Sequence, residues 1–190
     1  MEHLHAPWRI EYIRAPKPPP SDESLFTRIA QAADDLANHV LVREKSCFAV
    51  LNTYPYTGGH LMVVPYRRTA DLNDLTEQEL TDLMVLTRRC LNALKRAMKP
   101  EGFNVGMNLG RVAGAGVVDH LHIHIVPRWN GDTNFMPVVA QTTVMPEALA
   151  DVAARLRAAL ARDNEEEVRP FRDPDASVIG ADGRETGNRS

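Results

Sequence analysis

Apolar positions recur along this chain with two different periods, and the switches between them outline a fold. Leu25, Ile29, Ala33 and Leu36 return every three or four residues, predicting a helix over 22–37 capped by Ser21 or Asp22. Two β-rich runs follow, Val40–Arg43 and Cys47–Leu51, and the turn-rich stretch from Asn52 to Gly59 leads into a third, His60–Pro65. The clearest helix starts at Thr76, where Thr76 and Glu79 form a capping box ahead of Leu80, Leu83, Met84, Leu91, Leu94 and Met98. Pro100 and Gly102 stop it. Further strands are predicted at Phe103–Leu109 and His120–Pro127, separated by a glycine-rich loop from Gly110 to Asp119, and a last helix at Pro146–Ala161. Strands, then a helix, then strands with short connections predict an α+β fold with an antiparallel sheet.

The ends read differently. Residues 1–21 form an arm in which Trp8, Tyr12 and Ile13 precede Pro16, Pro18, Pro19 and Pro20, which hold the chain extended. From Asp163 onward the chain is charged and poor in apolar residues, predicting a disordered tail and one domain over 22–162. The size and the balance of 44% hydrophobic to 25% charged residues suit a globular domain with its own core. A net charge of −3 argues against nucleic acid as a partner, while leaving room for a small anion in a locally positive pocket. Cys47 and Cys90 are isolated thiols, and no apolar run reaches signal-peptide or membrane-span length. The expected setting is the cytoplasm, away from membranes.

The chemistry concentrates in His120-Leu121-His122-Ile123-His124-Ile125-Val126-Pro127. Imidazole and apolar side chains alternate, so on a strand the three histidines share one face and Leu121, Ile123 and Ile125 the other. Three readings follow from the residues: a polar solvated face, a metal site, or nucleophilic catalysis. A metal would want another ligand close by, and only Asp119 is adjacent. Nucleophilic catalysis suits imidazole because it is largely neutral near pH 7 and also leaves well.

The His-φ-His-φ-His-φ-φ pattern, with φ apolar, resembles the signature of the histidine triad (HIT) family of nucleotide hydrolases and transferases. The similarity runs from about Val40 to Pro137. Gly58-Gly59-His60-Leu61-Met62-Val63-Val64-Pro65 resembles the family's Gly-His strand and brings a fourth histidine to the site. Asn52 stands where the family holds the ribose, and Asn108 where an amide contacts phosphate or the leaving group. The resemblance implies that His122 is the nucleophile, that His124 hydrogen-bonds phosphate, and that His120 supports the site beside His60. It implies a five-stranded antiparallel sheet with helices packed on it, a homodimer, and an adenine dinucleoside polyphosphate as ligand. Gly114, Ala115 and Gly116 would let backbone approach a phosphate, or form a plain turn.

Two departures matter. Hydrolase members carry Gln-Ser or Gln-Thr just before the triad, where this chain has Gly116 and Val117, losing a side-chain donor and leaving room for inorganic phosphate as second acceptor. Many bacterial relatives hold a structural zinc with a Cys-x-x-Cys pair and a later histidine. Here Ser24-Leu25-Phe26-Thr27 and Arg68 stand at those places, so no resident metal is expected and the first helix must be held by apolar packing. A divalent ion such as magnesium, travelling with the substrate, stays open. The flanks Pro7–Ile13, Leu51–Tyr56 and Pro127–Phe135 resemble bacterial diadenosine tetraphosphate phosphorylase-like members, which split the dinucleotide with phosphate into ATP and ADP. Trp8 and Trp129 read as packing at a dimer or domain contact ahead of base stacking. A phosphoramidate or dinucleotide hydrolase is the alternative enzyme, and a nucleotide-binding regulator with little turnover the alternative of another class.

Overall fold

A computed structural model describes residues 23–132 and 147–162. The arm over 1–21 with Trp8, the Ser21 or Asp22 cap, residues 133–146 and the tail from 163 lie outside the described residues. In chain order the elements are α1 (Leu25–Gln31), β1 (Val40–Arg43), β2 (Cys47–Leu51), β3 (Leu61–Pro65), α2 (Glu77–Met98), β4 (Gly102–Gly106), β5 (Ile123–Arg128) and α3 (Leu149–Ala161), with 3-10 turns at Leu72–Asp74 and Arg111–Ala113. The five strands form one antiparallel sheet in the order β1-β2-β3-β5-β4, as expected for an α+β fold.

The period-two alternation divides the sheet into two faces. Ala49, Leu51, Leu61, Val63, Ile123 and Ile125 meet Leu83, Leu86, Leu94 of α2 and Val152 and Leu156 of α3 in the main core. Phe48, Val50, Met62 and Val64 turn the other way and pack with Val40 and with Phe26 of α1. Both faces are covered, which is why β2 and β3 are buried throughout. Cys47 and Cys90 are buried free thiols, and burial pushes the Cys47 pKa up to about 11.

β1 and β2 match their expected bounds. The capping box is also present: Thr76 Oγ1 accepts from Glu79 N, and the Glu79 carboxylate accepts from Thr76 N at 2.8 Å. Other boundaries are corrected. The first helix ends at Gln31 instead of running to 37, because Asp34 organises its own turns, accepting from Ala37 N and, through its carbonyl, from the Asn38 amide. Its buried residue is Phe26, whereas Leu25 and Leu36 of the expected apolar face are exposed, as is Met84 on α2. The last helix starts at Leu149, three residues later than expected.

β5 begins at Ile123, and β3 at Leu61, so only His124 of the four histidines lies in the sheet ladder. Leu121 N–H donates instead to Thr69 O, and the His122 ring to the His120 carbonyl. Those local bonds take the segment out of strand pairing. β4 loses its partner at the same place: Gly106 pairs with His124, and the strand stops there instead of reaching Leu109.

Candidate functional site

β3 and β5 pair with Met62 opposite His124, which sets the side chain of His124 on the α1 side of the sheet beside Met62. His60, two residues before Met62, shares that side, and a tight turn places it: His60 N–H donates to Thr57 O, and Asn52 N–H to His60 O. Gly59 makes the turn fit. Its φ is +81°, and a Cβ there would lie 2.6 Å from Met98 Sδ and 3.2 Å from Leu94 Cδ2.

The hydrogen bonds determine the tautomers. Tyr56 N–H donates to His60 Nδ1 at 3.1 Å, so the proton of neutral His60 sits on Nε2, which donates to His124 Nδ1 at 3.0 Å. The proton of neutral His124 is thereby placed on Nε2. His122 Nδ1–H donates to the His120 carbonyl at 2.9 Å, leaving the lone pair on His122 Nε2. The rings of His122 and His124 lie 4.8 Å apart, edge to face. Burial lowers the His122 pKa below its ordinary value and outweighs the carbonyl bond that raises it. Tyr56 stacks on His60 at 4.7 Å, screening the pair from one side.

His120 is placed differently from expectation. Its Nε2–H donates to Pro65 O at 2.8 Å and its Nδ1 accepts from the Ser24 hydroxyl at 3.1 Å, both in a fully buried setting. It therefore does not sit beside His60; His124 does. His120 contributes its carbonyl to His122, and its ring ties α1 to the triad segment. Phe26 packs against both rings, at 5.5 Å from His120 and 5.1 Å from His122.

A cavity of about 560 Å³ opens on this side of the sheet. His122, His124, Asn52, Gly114, Gly116 and Val117 all line it, six of the nine residues singled out from the sequence. His60 and His120 stand behind it. Asn108 is not in its wall either: its amide donates to Gly114 O at 3.5 Å, so it steadies the loop that is. Tyr54, Tyr56, Asn38, His39 and the α1 residues Leu25, Arg28 and Ile29 also form the wall, and sequence reasoning missed them. For α1 the signal was present but incomplete: Leu25, expected to face a core, is exposed at the cavity, while Ile29 packs against the core and lines the cavity as well. Asn52 Oδ1 accepts from Tyr54 N, and its amide lies 3.4 Å from His60 Nδ1, which points its side chain at the histidine cluster. Trp129 is half-buried away from the cavity, beside Arg128, which is committed to Asp132 and Asn104.

A family model for the HIT domain matches residues 34–131. The chain belongs to the HIT family. An AP-4-A phosphorylase of Mycobacterium tuberculosis is 42% identical over 168 residues, covering 85% of this chain and 86% of that protein. An asymmetrical bis(5'-nucleosyl)-tetraphosphatase of Schizosaccharomyces pombe is 35% identical over 51% of this chain and 53% of its own length. Among solved structures, a zinc-bound HIT protein of Mycobacterium smegmatis superposes with a TM-score of 0.60 at 26% identity, over 76% of this chain and 98% of that one.

The residues here do not fit a structural zinc at the places the resemblance marks. Ser24 offers a hydroxyl already bonded to His120, and Arg68 is a cation paired with Asp119 at 2.6 Å. No group of three or more His, Cys, Asp or Glu side chains suited to a metal occurs among the described residues. None of the described helices is long and apolar enough to cross a membrane.

Proposed function

We propose that this HIT protein is a diadenosine polyphosphate phosphorylase, cleaving a phosphoanhydride through a nucleotidyl intermediate on His122. The observation that carries the reading is the His122 ring held in the cavity by the His120 carbonyl, its Nε2 lone pair available and His124 beside it as proton-bearing partner. The 42% identity to an AP-4-A phosphorylase over most of both chains supports the substrate class.

In the first step His122 Nε2 attacks the α-phosphorus. The Nε2–P bond forms, the anhydride P–O bond breaks, and the leaving polyphosphate takes the electron pair. The resulting imidazolium keeps its Nδ1–H on the His120 carbonyl, whose dipole favours the developing charge. His124 Nε2–H meets a phosphate oxygen, and the His60–Tyr56 chain behind it fixes that proton outward. In the second step an oxygen of inorganic phosphate attacks phosphorus and the P–N bond breaks, so diadenosine tetraphosphate gives ATP and then ADP. Asn52 meets the ribose, while Gly114, Gly116 and Val117 border the phosphates. The absence of a bulky donor at Gly116 leaves space for the incoming phosphate.

The described cavity wall contains no carboxylate, so magnesium would enter on the polyphosphate and not on a protein ligand set. A cytoplasmic setting and a homodimer accompany the reading. Among the described residues β4 is an edge strand with Val105 exposed, which offers its free edge to a second copy.

Product analysis tests the reaction. Diadenosine tetraphosphate incubated with phosphate is expected to yield ATP plus ADP, with no turnover by His122→Ala. AMP plus ATP irrespective of phosphate would make the protein a hydrolase with the same nucleophile. No turnover by the wild type would overturn the reading and favour a nucleotide-binding regulator.

A further inference from the structure

The described wall of the cavity carries one permanent positive charge, Arg28 of α1, and no negative one. Arg28 is exposed at the cavity, and its guanidinium makes no hydrogen bond or ion pair among the described residues. Two other arginines close to α1 are spent on the fold. Arg43 bonds the Asp35 carboxylate and the carbonyls of Ile29, Ala30 and Ala32, and Arg157 bonds the carbonyls of Val40 and Asp35.

The helix that presents Arg28 is seven residues long, too short to persist alone. Three anchors hold it at the cavity: Phe26 buried against β2 and β3, the Ser24 hydroxyl on His120, and Arg43 on the carbonyls at its C-terminal end. Position 28 is therefore fixed relative to His122 although its side chain reaches solvent. An anchored backbone carrying a guanidinium with no partner among the described residues, at the rim of a cavity whose described wall is otherwise uncharged, is a recognition device for an anion. Guanidinium donors match phosphate oxygens in pairs, and a charge at a half-open rim acts in proportion to the charge of the ligand.

We infer that Arg28 is a specificity-determining residue that meets the phosphate chain of the bound nucleotide and selects for chain length. The inference rests on the reading of the cavity as a nucleotide site and adds to it which side chain counts phosphates. Rim exposure makes the contribution sensitive to salt.

Calorimetric titration of the full chain with adenosine, AMP and ATP tests it, comparing wild type with Arg28→Ala and Arg28→Lys. Arg88→Ala serves as a control, removing one exposed charge from α2, outside the cavity wall. Arg28→Ala is expected to leave adenosine affinity unchanged, weaken AMP a few-fold and weaken ATP about tenfold at low salt, the order set by one ion pair at a partly solvated rim. The ATP loss should shrink as salt rises. Arg28→Lys should keep much of the ATP affinity, and Arg88→Ala should keep all of it. Equal losses for adenosine and ATP would overturn the inference, placing Arg28 against the base. Unchanged affinities in Arg28→Ala would also overturn it while leaving the nucleotide site intact. Wild type that binds neither AMP nor ATP would overturn the nucleotide site and this inference together.

Discussion

Burial sets the protonation of His122 before any substrate arrives. Its side chain is 5% exposed, and desolvation of the charged form outweighs the carbonyl that favours it, so the pKa lies below the ordinary 6.5. The neutral, attacking form therefore predominates at pH 6.5 and above, and is lost as pH falls through that lower value. The acid limb of the kcat/KM profile should be centred below pH 6.5. An acid limb centred above 6.5 would contradict this placement. His120 is depressed by burial in the same way. For both groups the unfolded chain takes up protons first, so they withdraw stability as pH drops below 6.5.

At the scale of elements, the site depends on the turn that carries His60. Gly59→Ala would force a side chain into a left-handed backbone against Leu94 and Met98. The flexible Met98 end can yield, so the cost should come mainly from the backbone, about 1–2 kcal/mol. Denaturant unfolding should show that loss, and nucleotide cleavage should fall with it as His60 shifts from His124. An unchanged midpoint would show that the turn tolerates a Cβ. This element also marks what sequence could and could not convey. The Gly-His motif and the triad were legible because residue type and spacing alone identify them, and the capping box at Thr76 because both partners are local. The partners of each histidine were not legible. His60 meets His124, 64 positions away, and His120 meets Ser24, 96 away, and neither separation has a periodic signature. The strand ends at 123 and 106 were also hidden, since they depend on Leu121 and His122 spending their bonds on Thr69 and His120.

For the whole molecule, sheet order divides the labour. α2 and α3 supply the main core on one face, which leaves the other face free to build a cavity beneath a short anchored helix. In the homodimer proposed above, β4, the edge strand among the described residues, would be the surface through which two copies join. Sedimentation should therefore report a dimer for the wild type and a weaker one for Val105→Lys, which places a charge on the exposed edge. A monomeric wild type would refute the assembly without touching the chemistry.

The covalent step itself is tested by rapid quench. The protein mixed with diadenosine tetraphosphate in the absence of phosphate, stopped in alkali and mapped by peptide mass, should carry an adenylyl group on His122 that disappears on adding phosphate as ADP forms. Steady turnover with no adduct, or an adduct on any residue other than His122, would contradict the account.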